Sequence, residues 1–194
     1  MGKGSVGGMI RQTGKRLEDI RDDHVERYRF AIQWLRARFL DVRAPLIFDV
    51  GCGVGYGSHM MASAIPNATV LGLDPSEDAI EIARANWSHP NVTYVSDPDK
   101  MPRVVTALAA VVAFEVIEHD PSIVPLLAAF SRISTYLVGS VPNEDVVPFV
   151  KGKSNPQHYR HFTQLEIADT LAVVGWNVLL PMRTQIGKTG SQAS

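Results

Sequence analysis

FDVGCGVGYG (48–57) sets four glycines within seven positions, directly behind an apolar run and an aspartate. Glycine allows close backbone approach and positive φ, so the stretch poses the question of what comes near it. Working outward, PLIFDV (45–50) reads as a short buried strand that ends at the glycines. SHMMASAI (58–65) reads as a helix stopped by Pro66 and Asn67. TVLGLD (69–74) is a second buried strand. SEDAIEIARANW (76–87) is a helix, with Ser76 as its cap and Glu77 and Asp78 at the positive end of its dipole. VTYVS (92–96), LAAVVAF (108–114) and TYLVGSV (135–141) are further strands; between the last two, a helix over 121–133 must hold Pro125 in its first turn or kink there. TQLEIADTLAVVG (163–175) opens on a T-x-x-E capping box, Thr163 to Glu166, and closes on Gly175, and WNVLL (176–180) reads as a sixth strand. Strands alternating with helices predict an α/β fold, a doubly wound, mostly parallel sheet with helices on both faces. Such sheets bind ligands at the carboxyl ends of the strands, where strand order reverses, and the glycine loop stands at that end of the first strand.

Composition narrows the classes. The chain has 194 residues, 45% hydrophobic and 20% charged, with a net charge of −1. That length suits one domain with a real core. The charge gives no support for bulk nucleic acid or an anionic membrane as a dominating partner. No apolar run approaches the roughly 18–20 residues of a membrane span, and the N-terminus lacks the apolar core of a secretory signal. The single cysteine, Cys52, excludes an internal disulfide; it reads as a small buried residue in a cytoplasmic protein. Residues 1–15 carry five glycines and little apolar periodicity, and 1–16 reads as a flexible arm. Over 17–40, Ile20, Val25, Tyr28, Ala31, Trp34, Leu35 and Phe39 recur mostly at threes and fours, the mark of a helix. The expected organisation is one domain over 17–194: a helical cover (17–40), a ligand-binding core (45–141), a polar loop (142–162), and a C-terminal helix and strand (163–183).

Which ligand suits the glycines? The dinucleotide fingerprint G-x-G-x-x-G fails in register. Gly51 and Gly53 would require a small residue where Tyr56 stands, and Gly53 and Gly55 one where Ser58 stands. No G-K-[ST] follows, so a phosphate-binding loop fails as well. Asp49 lies two residues before the first glycine; a carboxylate there suits a ligand carrying a cation and does not suit a pyrophosphate.

The stretch F-D-V-G-C-G-V-G-Y-G resembles the first motif of class I S-adenosylmethionine-dependent methyltransferases, small single-domain enzymes with a Rossmann-like sheet. The resemblance covers about residues 25–180. It implies S-adenosyl-L-methionine as cofactor and S-adenosyl-L-homocysteine as product. Gly51, Gly53 and Gly55 would wrap the methionine part, with Asp49 beside them. Asp74, at the end of the second strand and next to Pro75, would accept the ribose hydroxyls. Asp97, in YVSDPD, would hydrogen-bond the adenine amino group. FEVIEH (114–119) is similar to the family's fourth motif and places Phe114 and Glu115 against the cofactor. HVERYRFA (24–31) precedes the core as similar small methyltransferases do, and Arg27 would pair with the methionine carboxylate. Tyr28 reads as a core contact.

Methyl transfer from a sulfonium is an in-line displacement in which the protein aligns nucleophile, methyl carbon and sulfur and excludes water. A hydroxyl or protonated amine must also lose a proton, and a histidine or carboxylate is the usual base. Glu115, Glu118 and His119 follow the fourth strand, and the resemblance makes His119 the first choice. The segment 140–163 gathers His158, Tyr159, Arg160 and His161, with Lys151 and Lys153 and no acid between 146 and 165. N-P-x-H-x-R-x-F-T resembles the acceptor-pocket segment of methyltransferases that modify sugars or small metabolites. His158 and His161 are therefore expected in catalysis, and Asn143, Tyr159 and Arg160 in substrate binding. His158 and His161 are three apart, but no third ligand has suitable spacing, so no metal is expected.

Family members usually finish with two further strands, and this chain offers one before a Gly/Lys/Ser tail; an unpaired edge favours a homodimer or another covering element. The expected function is methyl transfer to oxygen or nitrogen of a small-molecule or sugar-like acceptor. Two alternatives stay open: a nucleobase or nucleic-acid methyltransferase, and a non-catalytic S-adenosylmethionine-binding sensor or partner subunit. A nicotinamide oxidoreductase ranks last, on its glycine register.

Overall fold

The computed structural model describes residues 3–6, 9–12, 14–100 and 108–178. Near the N-terminus, β1 (Lys3–Val6) and β2 (Met9–Gln12) pair as an antiparallel ribbon within the segment expected to be an arm. The amphipathic stretch forms a 3-10 turn (Leu17–Asp19) and α1 (Asp22–Phe39), which buries Val25, Tyr28, Ala31, Leu35 and Phe39. Those positions fall at threes and fours, so one stripe of α1 lies on the sheet.

The apolar runs then build five parallel strands: β3 (Leu46–Val50), β4 (Thr69–Leu73), β5 (Val92–Val95), β6 (Ala109–Phe114) and β7 (Tyr136–Ser140). Their order is β5-β4-β3-β6-β7. From β3 the chain winds outward through β4 to β5, then returns to the other side of β3 with β6. The reversal therefore falls between β3 and β6, and it opens a crevice at their carboxyl ends. The crossovers are α2 (Tyr56–Ala64), α3 (Glu77–Asn86) and α4 (Ile123–Ile133).

Each crossover shows local chemistry that the sequence announces. Ser76 caps α3 by accepting from the Ala79 amide at 3.3 Å. Pro125 stands in the first turn of α4, where its missing N–H has no intrahelical partner to lose. Two apolar layers result. Ile47, Val70 and Val112 face α1, α2 and α3; Phe48, Val111 and Leu127 form the layer under α4 and α5 (Gln164–Val173).

The expected strand at 176–180 is corrected. Trp176, Asn177 and Val178 form no strand, and 179–180 lie outside the described residues. Gly175, at φ +87°, ends α5 by donating to the Ala172 carbonyl, and Trp176 donates to the Leu171 carbonyl. This 6→1, 5→2 pair is a Schellman ending, and it turns the chain back. The Trp176 ring then packs on the α4 layer. The tail expected to lack a last strand lies outside the described residues.

Candidate active site

The glycine loop answers its own question in two ways. An added Cβ at Gly57 would sit 2.0 Å from the Tyr28 ring, at Gly55 2.6 Å from the Ala83 methyl, and at Gly51 2.5 Å from Val116. Three glycines thus make room for the protein's own side chains. Gly53 differs: it holds φ +55°, and a Cβ there would meet nothing within 4 Å among the described residues. Its backbone is the part of the loop that faces open space. The loop is fixed from behind, since the Gly51 and Cys52 amides both donate to the Leu73 carbonyl at the end of β4. Cys52 itself is buried, and as the chain's one cysteine it forms no internal disulfide.

Asp74 stands beside that open space. Its Oδ2 accepts from the Gly53 amide at 3.0 Å and its Oδ1 from the Ser76 amide at 3.0 Å. The carboxylate ties loop, strand end and helix start together, with Pro75 between the two anchor points. Asp49 has a different place. It is fully buried beneath the loop, where it accepts from the Tyr28 hydroxyl at 3.0 Å and the Ser58 hydroxyl at 2.6 Å. Burial pushes its carboxyl up to about 7, against the pull of those two hydrogen bonds. Both oxygens serve the α1–β3–α2 junction, so the expected ligand contact is replaced by a structural one. Asp97 is exposed and accepts from the Asp99 amide at 2.9 Å, an ordinary turn contact.

At the end of β6 the chain is strained. Glu115 adopts φ +57°, a costly region for a side-chain-bearing residue. Its amide donates to the Ser140 carbonyl, and its carboxylate accepts from the Ser140 hydroxyl at 2.6 Å. Ser140 pairs with Phe114 in the β6–β7 ladder, so the neighbouring strand end holds the strained residue. Arg27 reaches this point from α1. Its guanidinium lies 3.5 Å from Asp23 and 4.0 Å from Glu115. Phe114 stacks edge-on against Tyr28, centroids 5.1 Å apart.

The turn Ile117–His119 and the polar loop close on each other. The Tyr159 amide donates to the Glu118 carbonyl at 2.9 Å, and His119 Nδ1 donates to the Gln157 carbonyl at 3.1 Å. His161 Nδ1 donates to the Val147 carbonyl at 2.6 Å, and His158 Nδ1 donates to His161 Nε2 at 2.9 Å. These partners assign the tautomers: Nε2 is the lone-pair nitrogen of His119 and His158 alike. Both nitrogens turn toward Glu118, at 4.0 and 3.9 Å from its Oε1. The Glu118 side chain is fully buried, and among the described residues neither oxygen has a hydrogen-bond partner beyond a weak contact with its own backbone amide. Burial first, and then the Glu115 charge, push its carboxyl up to about 8. Burial, with His119 and His161 nearby, holds His158 down at about 4.

Thus the structure brings His119 and His158 together and adds Glu118, which spacing alone did not single out. His161 stands behind His158 and orients it. The expected acceptor contacts scatter. Arg160 pairs with Glu166 at 3.0 Å and lies over the Phe162 ring, so its charge is already matched by an acid just past the acid-free stretch. Tyr159 is exposed, and Asn143 accepts from the Asp145 amide within a turn.

Comparison with known proteins bears on the fold and its core. A sequence profile described as a methyltransferase domain matches residues 47–137. The ubiquinone biosynthesis O-methyltransferase of Thiobacillus denitrificans is 37% identical over 107 residues, covering 51% of this chain and 45% of that protein. A probable S-adenosylmethionine-dependent methyltransferase of Mycolicibacterium smegmatis is 27% identical over 139 residues, covering 68% and 52%. The chain thus spans about half the length of these curated relatives. In fold it is similar to the magnesium protoporphyrin IX methyltransferase of Synechocystis PCC 6803, solved with S-adenosylmethionine bound. The TM-score is 0.61 at 22% identity, over 81% of this chain and 71% of that one. With the glycine loop, the β3/β6 crevice and these likenesses in hand, the core of this chain is a class I S-adenosylmethionine-dependent methyltransferase domain.

Proposed function

We propose that the chain methylates an oxygen or nitrogen of a small-molecule or sugar-like acceptor, in the cytoplasm. The observation that carries this reading is the crevice itself. Gly53 and Asp74 stand on one side of the strand reversal, and Glu118, His119 and His158 follow the strand on the other side. When bound, S-adenosylmethionine supplies an electrophilic sulfonium methyl group. The open backbone face of Gly53 suits the methionine part, and the Asp74 carboxylate suits the ribose hydroxyls. Arg27 stands within ion-pair range of Glu115 at the end of β6, a place from which it can meet a carboxylate.

Transfer forms an acceptor–carbon bond and breaks the carbon–sulfur bond, whose electron pair stays on sulfur. The acceptor's proton needs a sink, and the Glu118–His119–His158 group is placed to serve as one. His119, about one third exposed, is the member that an acceptor reaches. Two imidazoles and a carboxylate turned toward one point support catalysis over a purely cofactor-binding role. Relatives named for ubiquinone biosynthesis and for trans-aconitate methylation support a small acceptor.

The test is turnover, read as S-adenosylhomocysteine released, against a panel of phenols, organic acids and sugars. At least one should be methylated by the wild type. His119→Ala should lower its rate by about 10²–10⁴ while leaving cofactor affinity in place. A variant as fast as the wild type would overturn the role of His119, and a panel left wholly unmethylated would overturn the acceptor class.

A further inference from the structure

The sequence offers no third ligand near His158 and His161, but the fold supplies two. One ligand atom each from Glu118, His119 and His158 lie within 4.8 Å of one another, and Glu118 Oε1 stands 4.0 Å from His119 Nε2 and 3.9 Å from His158 Nε2. Carbonyl or imidazole partners hold both rings so that these nitrogens present lone pairs. Two backbone-directed hydrogen bonds, Tyr159 to Glu118 and His119 to Gln157, staple the loop to the turn and fix the spacing. At the centre is the fully buried Glu118 carboxyl, whose oxygens have no side-chain hydrogen-bond partner among the described residues. Buried polar groups are normally hydrogen-bonded, and buried charges paired or bound to a metal; here the imidazoles at 3.9 and 4.0 Å are beyond hydrogen-bond range.

We propose that Glu118, His119 and His158 bind a divalent transition-metal ion, with His161 as the positioning residue behind His158. Two imidazole nitrogens and one carboxylate oxygen are the donor set of an open zinc site. Magnesium and calcium prefer oxygen alone. The relay His158–His161–Val147 carbonyl is the outer support that metal-bound imidazoles use to keep tautomer and orientation. A tetrahedral site with bonds of about 2.1 Å has ligand edges of roughly 3.4 Å, so the two Glu118 edges must close by about half an ångström and the edge between the imidazoles, at most 4.8 Å, by up to about 1.4 Å, through side-chain rotation. The exposed edge lies at His119, which leaves further coordination positions facing the crevice. With the ion bound, an acceptor oxygen would bind it and lose its proton to solvent; this replaces the direct uptake of the proton by the group that the metal-free site would perform. That use of the ion rests on the proposed reaction; its binding does not.

The experiment uses the full chain, stripped with a chelator and dialysed against zinc, with bound metal measured by mass spectrometry and affinity by competition with a chromophoric chelator. Cobalt replaces zinc in a parallel sample, read by its visible ligand-field bands. The wild type should hold one zinc ion and show the cobalt bands. Glu118→Gln and His158→Asn should each weaken binding at least 100-fold, and His161→Phe about 10-fold, while His89→Ala leaves it unchanged. His158 lies on a loop, so its variant stays informative if the buried Glu118→Gln fails to fold. A wild type that holds no zinc at micromolar concentration, or Glu118→Gln and His158→Asn variants that bind as the wild type does, would overturn the site; in the first case a proton occupies the Glu118 carboxyl instead. S-adenosylhomocysteine binding on the same samples separates the two readings. Cofactor without zinc sinks the ion alone, and zinc without cofactor sinks the methyltransferase reading alone.

Discussion

Asp49 shows how a residue's place in a strand decides its role. Side chains alternate along β3, so Asp49 shares a face with Ile47 and points under α1 and α2, while Phe48 and Val50 face the other layer. That alternation was readable in PLIFDV; the nearby glycines drew the residue toward a ligand instead. Its environment is Tyr28, Tyr56 and Ser58 from the two helices, with Asp74, Cys52 and Tyr94 near the strand ends. The folded carboxyl ionises near pH 7 and the unfolded one near its ordinary 3.8. Between those values the unfolded state binds fewer protons, so stability falls as pH rises; it is flat below and above. The Asp49→Asn variant should therefore gain on the wild type by up to about 1.4 kcal/mol per pH unit between pH 4 and 7. Denaturant titrations across that range check the slope, and a pH-independent gap would show that Asp49 is ionised throughout. Gly57 permits a second prediction at this scale. The Tyr28 ring beside it is wedged edge-on against Tyr56 and Phe114, and its hydroxyl is held by Asp49. The Gly57→Ala variant should lose at least about 2 kcal/mol of stability, because the ring has nowhere to retreat.

Among the elements, helix α5 was the most legible. Thr163 and Glu166 form the reciprocal capping box that the sequence spells. Removing it with Thr163→Ala should cost about 1 kcal/mol, and Gly175→Ala at its far end roughly 1–2 kcal/mol, both measurable by chemical unfolding. The same ending explains the misread strand. WNVLL has β-forming residues, but the left-handed turn at Gly175 aims Trp176 at α4, and packing overrides propensity. The polar loop was legible as functional but not in its contacts. Arg160 finds Glu166, and His161 finds a backbone carbonyl. Neither partner can be named without the path of the loop. Glu118 was visible as an acid after a strand; only burial distinguishes it, and burial is a property of the closed loop.

At the scale of the whole molecule, five parallel strands were readable because each is a short apolar run bounded by turn residues, and their alternation with helices implied the crevice. The order β5-β4-β3-β6-β7 then does the positioning. It sets the loop after β3 and the turn after β6 side by side, though α2, β4, α3, β5 and β6 separate them in sequence. Among the described residues no helix is long and apolar enough to cross a membrane. The central claim is that Asp74 and the open face of Gly53 receive S-adenosylmethionine at that reversal. Titration calorimetry with S-adenosylmethionine and S-adenosylhomocysteine, on the wild type and on Asp74→Asn, tests it most directly, with NAD as control. The account predicts that both bind the wild type and that the variant loses about 100-fold in affinity, the worth of two hydrogen bonds to a charged group. Equal affinity in the variant, or preference for NAD, would contradict it.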